Sequence, residues 1–347
     1  MRTLEWDANN NSLRMIDQRL LPQAFIVVSL DTYQGVADAI KTMVVRGAPA
    51  IGAAAAFGLV LAARKSPAHD LPGLRSDLQQ AALVLRSTRP TAVNLAWAIN
   101  RMLSVADAGV ISAGGLADRL LAEAQAIADE DVAINQRMAQ HGAALIEDGD
   151  TIIHHCNTGS LATVDWGTAL GVIRMAHQMG KRVHVLVDET RPRLQGARLT
   201  AWELSQYGIP YDIISDGAAG FFLSRGLAHK VLFGADRVTT RGDVANKVGS
   251  YMLALAAHDN RVPVYSVFPT STIDFSLQNG EDIPIEEREA GEVLNIEVRG
   301  EKVTPEGATA RNPAFDVTPH RLFTGWVTEK GVILPPFEGA FGQPGLV

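Results

Sequence analysis

The 347-residue chain contains a single cysteine, Cys156. One thiol cannot close an internal disulfide, so a disulfide-stapled scaffold is excluded and a reducing compartment is favoured. Basic residues are also scarce. Only 31 Lys and Arg stand against 38 Asp and Glu, a formal net charge of −7. Nucleic-acid binding by phosphate neutralisation is therefore not expected, and any bound anion should be small and held locally. Residues Met1 to Asn10 lack an apolar core behind a basic region, so no secretory signal is read. The most apolar stretch, Ala48 to Ala63, is Ala/Gly-rich, includes Pro49 and is too short for a bilayer span. It reads as a buried core helix in a soluble, cytoplasmic protein with no membrane partner. Neither G-x-G-x-x-G nor G-x-x-x-x-G-K-[ST] occurs, and no H-E-x-x-H helix or Cys cluster suggests zinc.

What is present is a globular composition. The chain is 47% hydrophobic and 20% charged, which excludes disorder, and 31 Gly with 16 Pro is far from a collagen-like level. Its length suits two domains, or one large α/β domain with an appendage. Up to about Ala144 apolar residues recur every three or four positions. They predict helices over Gly35–Met43, Ile51–Arg64, Asp77–Ser87, Asn94–Ser104 and Gly115–Leu145. Extended stretches precede them at Ser12–Asp17 and Ala24–Leu30, with loops at Ser66–Gly73 and Asp107–Gly114. From Asp148 onward the rhythm changes. β-rich runs at Thr151–His155, Val183–Val187, Tyr211–Ile214, Lys230–Phe233 and Val262–Val267 alternate with helical stretches. The helical stretches are Leu161–Met179, Ala197–Tyr207, Ala218–Arg225 and Ala245–His258. This alternation predicts an α/β fold with a doubly wound parallel sheet covered on both faces.

In such a sheet, ligands bind at the carboxyl ends of strands near the topological switch point. The strands are followed by Cys156-Asn157-Thr158-Gly159-Ser160, Asp188-Glu189-Thr190-Arg191, Ser215-Asp216-Gly217 and Gly234-Ala235-Asp236-Arg237. Polar, reactive groups thus gather at one sheet edge. A lone cysteine is usually a small buried hydrophobe. Cys156, however, sits between a strand and an expected helix start at Thr158-Gly159-Ser160. Backbone N–H groups there can cradle phosphate and lower a thiol pKa. Asp236, at the next strand end, suits a general acid, with a loop cap or a partner for Arg237 as the plainer reading. Asn246 and Lys247 are expected to open a helix and meet an anion, although a solvated lysine is the common alternative. The stretch Asp188–Gly196, with Arg191, Arg193, Gln195 and Gly196, is either a self-paired surface loop or an anion and hydroxyl clamp.

The first half adds two similar stretches. Arg46-Gly47-Ala48 opens an apolar helix with small residues, and Arg89, fixed by Pro90, precedes another. His154 and His155 invite a metal reading with Cys156. Alternation puts His154 and Cys156 on one face and His155 on the other, leaving two ligands and no third. No metal is expected.

As a set, these stretches resemble the methylthioribose-1-phosphate isomerase family, relatives of the regulatory subunits of the eukaryotic translation-initiation exchange factor. The matching pieces are Met15–Pro22, Arg46–Gly52, Arg89–Asn94, Cys156–Thr163, Asp188–Leu199, Gly234–Val238, Asn246–Tyr251 and Asn312–Pro319, in the expected order across nearly the whole chain. Val248 and Ser250 are mild variations. The resemblance implies a mainly helical N-terminal domain, residues 1–145, and a Rossmann-like catalytic domain, residues 146–347, in a homodimer without a cofactor. It implies Asp236 as proton donor and Cys156 as transition-state aid. Arg46, Gly47, Ala48, Arg89, Gln195, Asn246 and Lys247 would hold a sugar phosphate, with Thr158, Gly159 and Ser160 as a further phosphate cradle. An isomerase for ribose 1,5-bisphosphate and a non-catalytic sugar-phosphate sensor are the alternatives.

Overall fold

A computed structural model describes residues 1–90, 92–109, 112–337 and 340, so Thr91 and part of the expected loop Asp107–Gly114 lie outside the described residues. The chain divides into two compact units, Met1–Gln140 with Thr158–Val172, and His141–Asn157 with Ile173–Val347.

In the first unit, strands β1 (Leu4–Asp7), β2 (Ser12–Ile16) and β3 (Val27–Leu30) form an antiparallel sheet. Helices α1 (Tyr33–Lys41), α2 (Ala48–Lys65), α3 (Leu71–Thr88), α4 (Val93–Asp107) and α5 (Ala113–Ala143) follow, as the helical period predicts. Their starts have local causes. The Thr32 hydroxyl accepts from Gly35 N at 3.1 Å, and the Asp70 carboxylate accepts from Gly73 N at 2.8 Å. By length and composition α2 is apolar enough to cross a membrane. Instead, every residue from Ala50 to Ala63 is buried, and the helix forms the centre of this unit's core. Small residues permit that packing: a Cβ on Gly52 would lie 2.9 Å from the Asn94 carbonyl of α4. Trp6 of β1 stacks on Phe57 at 5.9 Å between ring centroids.

The second unit is built on β4 (Thr151–His154), α6 (Ala169–Gln178), β5 (His184–Asp188), α7 (Ala201–Tyr207), β6 (Tyr211–Ile214), α8 (Ala219–Ser224) and β7 (Lys230–Phe233). Then come β8 (Arg237–Thr239), β9 (Val244–Lys247), α9 (Ser250–Asp259), β10 (Val264–Val267) and β11 (Ile273–Asp274). Last are β12 (Glu297–Val298), β13 (Glu301–Lys302), β14 (Phe315–Thr318), β15 (Gly325–Thr328) and β16 (Gly331–Ile333). The main sheet has the order β16-β15-β10-β7-β4-β5-β6, parallel except for β16. Successive strands run outward from β4 in one direction and from β7 in the other, so the switch point lies between these two. The fold is a mixed α/β fold with helices and a parallel-strand sheet.

Two expectations need correction. The helix expected over Leu161–Met179 is only a 3-10 turn at Ser160–Ala162 followed, after a loop, by α6. Polar side chains divert the chain: Ser160 Oγ donates to Asp165 Oδ1 at 3.0 Å, and Thr163 Oγ1 donates to the Asp165 carbonyl at 2.9 Å. Asn246 and Lys247 do not open a helix. They lie in β9 of a second sheet, β11-β8-β9-β14, and the helix begins only after Gly249.

Candidate active site

Cys156, Gln195, Asp236, Asn246 and Lys247 belong to the second unit. β4 and β7 are adjacent and parallel, with His154 beside Leu232. Cys156 and Asp236 therefore leave neighbouring strands from the same end, on either side of the switch point. β5 flanks β4 on the other side, with His154 beside Val187, and brings Asp188 to that end.

Cys156 is buried and has φ 67, a left-handed conformation rare for a residue with a side chain. Its backbone is held on both sides. The amide donates to Thr190 Oγ1 at 2.9 Å, and the carbonyl accepts from Thr200 Oγ1 at 2.7 Å. Thr190, itself at φ 63, passes the bond on to the Asp188 carbonyl at 2.9 Å. The next residue, Asn157, donates to buried Glu203 at 2.8 Å. Backbone strain of about 1–2 kcal/mol is thus fixed by a closed set of hydrogen bonds, a pattern common at functional sites.

Asp236 is half-buried, and its amide donates to the Ala245 carbonyl at 2.9 Å, beside Asn246. Asn246 in turn pairs with Asp316 across β9 and β14. The Asn246 amide donates to Ser250 Oγ at 2.8 Å. Lys247, 6% exposed, donates to the Ala314 carbonyl at 2.7 Å and lies 4.4 Å from the Phe315 ring centroid. Gln195 is 8% exposed, and its side-chain oxygen has no hydrogen-bond partner among the described residues. A buried acceptor unpaired among the described residues can take a donor from an ordered water or a ligand. Gly196 explains the close approach of this segment, since a Cβ there would lie 1.7 Å from the Asp188 carbonyl oxygen. Arg191 and Arg193, candidates for an anion clamp, turn elsewhere. They donate to the Val293 carbonyl at 3.1 Å and to Glu292 at 2.9 Å.

His155 is the residue that sequence reasoning passed over. It is fully buried. Nδ1 lies 2.8 Å from Asp188 Oδ2 and Nε2 lies 3.0 Å from the Val248 carbonyl. Burial alone would push the ring's pKa down. The hydrogen bond and charge of Asp188, with Asp216 beyond, outweigh it and hold the ring above its usual range. Ligand atoms of His155, Asp188 and Asp216 lie within 4.8 Å of one another, but both ring nitrogens face acceptors and offer no lone pair to a cation. The signal in the sequence was Asp188 ending the neighbouring strand at the same height.

Arg46, Gly47, Ala48, Arg89, Thr158, Gly159 and Ser160 belong to the first unit. Gly47 caps α2 at φ 99 without a side-chain cap, and because Pro49 has no N–H, Ala48 and Ala50 supply the N–H groups at this helix start. A Cβ on Gly47 would lie 2.3 Å from the Ala162 carbonyl oxygen, which brings Arg46–Ala48 against the Ser160–Ala162 turn. Gln18 locks the pair: its amide side chain donates to the Leu161 carbonyl at 2.7 Å, and its backbone N–H donates to the Val44 carbonyl at 3.0 Å. Arg89 caps the end of α3. Without a helix at Thr158–Ser160 the dipole argument for a phosphate cradle there lapses. Thr158 Oγ1 instead accepts from Leu170 N at 3.0 Å.

Residues 44–335 match the initiation factor 2 subunit family. The chain is 51% identical to a methylthioribose-1-phosphate isomerase from Synechococcus sp. over 342 residues, 99% of this chain and 97% of that one. Its structure resembles 5-methylthioribose 1-phosphate isomerase from Pyrococcus horikoshii OT3, with a TM-score of 0.90, 46% identity and coverage of 97% and 93%. It also resembles the translation initiation factor eIF-2B subunit delta from A. fulgidus, with a TM-score of 0.86, 43% identity and coverage of 97% of both chains. The chain belongs to the initiation factor 2 subunit family.

Proposed function

We propose that this chain is an aldose–ketose isomerase converting 5-methylthioribose 1-phosphate to 5-methylthioribulose 1-phosphate, a step of methionine salvage. Its relatives' shared name supports the substrate. The observation that carries the chemistry is the departure of Cys156 and Asp236 from the two adjacent strands at the switch point. The anomeric phosphate prevents the furanose from opening to a free aldehyde. Asp236 donates a proton to the ring oxygen as the ring opens. Hydrogen then passes from C2 to C1, by proton transfer through an enediol-type intermediate with Cys156 as base, or as a hydride with Cys156 polarising the centre. Arg46, Gly47, Ala48 and Arg89 hold substrate, as do Gln195, Asn246 and Lys247. Supporting this are the unpaired Gln195 oxygen and the uncapped start of α2. The same reading takes residues 1–145 as a helical domain and 146–347 as a Rossmann-like catalytic domain of a cytoplasmic homodimer.

The test is direct. The purified chain is given 5-methylthioribose 1-phosphate and the ketose is measured, alongside Cys156→Ser and Asp236→Asn. Each variant is expected to lose at least about 100-fold in kcat, the scale of a general-acid contribution. Full turnover by either refutes its assigned role. A C2 deuterium retained at C1 selects the hydride route, and complete exchange with solvent selects proton transfer. The likeness to an initiation-factor subunit favours one other reading, a sugar-phosphate sensor. Saturable binding without ketose formation by the wild-type chain would establish it.

A further inference from the structure

Two acceptors face the two nitrogens of His155. The Val248 carbonyl can only accept, so Nε2 carries a proton. Nδ1 lies 2.8 Å from Asp188 Oδ2, and a second ring proton would complete that bond. The ring is enclosed as well as bonded. A Cβ on Gly249 would lie 2.8 Å from His155 Cε1, so the ring packs flush against the start of α9. Carboxylates approach from three elements. Asp188 follows β5. Asp216, after β6, accepts from the Thr190 and Arg191 amides at 2.7 Å each. Asp316, in β14, accepts from Gly249 N at 2.7 Å and Tyr251 N at 3.1 Å. Glu189 after β5, Lys247 in β9 and His154, which precedes the ring in β4, are further charged or titratable groups that bear on this cluster.

We infer that His155, carrying both ring protons, is a positioning residue that fixes the Cys156 turn against the Asp188 and Asn246–Val248 segments for the isomerisation proposed above, on which this role depends. The connections follow the chain. Cys156 is the next residue after His155. Val248 directly follows Asn246 and Lys247. Asp188 holds the ring through its side chain, and its carbonyl takes the Thr190 hydroxyl that receives the Cys156 amide. Three strand-end segments with proposed substrate or reacting groups thus meet on one buried ring. A neutral imidazole has one donor and satisfies only one of the two acceptors, so losing a proton loosens one segment from the other. Misplacement by about 1 Å in such a frame lowers turnover about 100-fold, while binding contacts largely persist.

Steady-state kinetics on wild type, His155→Phe, His155→Gln and Asp188→Asn, with 15N spectra of the wild-type imidazole, test this. His155→Phe is expected to lower kcat about 100-fold with KM within about threefold. His155→Gln, which restores one donor, recovers about tenfold of that loss. The ring's pKa is raised above 6.5, so the doubly protonated form persists above that pH and disappears as pH rises through the raised value. Asp188→Asn removes the carboxylate holding the proton, and the alkaline limb of kcat moves toward pH 6.5; a purely structural contact leaves it in place. The spectra should show the doubly protonated ring titrating with a midpoint above pH 6.5. Wild-type kcat in His155→Phe, an unmoved limb in Asp188→Asn, or a ring midpoint at or below pH 6.5 overturns the inference. Absence of ketose formation by wild type overturns the function and this role with it. The spectrum, read without turnover, holds where His155→Phe fails to fold.

Discussion

Gly249→Ala perturbs the ring cluster without touching a titratable group. Gly249 has φ 105, where a side chain costs about 1–2 kcal/mol. The added Cβ would also lie 2.8 Å from His155 Cε1, closer than real Cβ atoms come, and 3.1 Å from Nε2, tighter than most such contacts. The ring cannot retreat without lengthening its 3.0 Å bond to the Val248 carbonyl, a charge-assisted bond worth about 1.5–3 kcal/mol. The sum is about 2.5–5 kcal/mol. Gly180→Ala isolates the backbone share, because Gly180 has φ 87 and nothing within 4 Å of the added Cβ. Urea unfolding of both variants should therefore place Gly249→Ala about 1.5–3 kcal/mol below Gly180→Ala. Gly180→Ala should keep wild-type kcat, while Gly249→Ala loses at least about tenfold. Equal stabilities for the two variants, or an unchanged kcat in Gly249→Ala, would refute the claim that the ring is wedged against α9.

Two further predictions concern the first unit. Gly47→Ala places a Cβ 2.3 Å from the Ala162 carbonyl oxygen and 2.5 Å from its Cα, at φ 99, with backbone rather than a flexible side chain in the way. A loss of at least about 3 kcal/mol in thermal or urea unfolding is expected, together with loss of ketose formation. Gly226→Ala, at φ 65 in open space, should show only the backbone share. The Asp131 carboxyl is pushed up to about 7 by burial, against the hydrogen bond it accepts from Val164 N at 2.7 Å. A raised folded value means that the folded chain holds a proton which the unfolded chain releases near pH 4. The stability contribution is complete below that pH and is lost as pH rises to about 7. Asp131→Asn keeps the acceptor and removes the charge, so it should be more stable than wild type at pH 8, with a flatter dependence between pH 4 and 7. A wild-type stability curve parallel to that of the variant over this range contradicts the assignment.

The elements legible in the sequence are those whose burial repeats along the chain. The Ala/Gly run of α2 and the strands Tyr211–Ile214 and Lys230–Phe233 stand where their periods place them. The second sheet was not legible, because β8, β9, β11 and β14 have two to four residues each and owe their form to partners far along the chain. Asn246 is extended because it lies opposite Asp316, a pairing that no local pattern around Asn246 encodes. The turn at Thr158–Ala162 escaped for the opposite reason. Its helical composition is overridden by Ser160 and Thr163 bonding to Asp165 within five residues. Cys156 and Asp236 could be selected because strand ends are legible even when the loops beyond them are not. His155 was masked, because alternation assigns it to the face away from Cys156, while its bonds reach 33 and 93 residues onward and Asp188 at the neighbouring strand end was its one sequence signal. Alternation describes a strand only while it remains extended. At Cys156 the chain turns to φ 67, and from there the side chains that matter are set by neighbouring loops rather than by their own sequence. The cluster of left-handed residues at Cys156, Thr190 and Leu194 therefore marks both where sequence periodicity ends and where the proposed site begins.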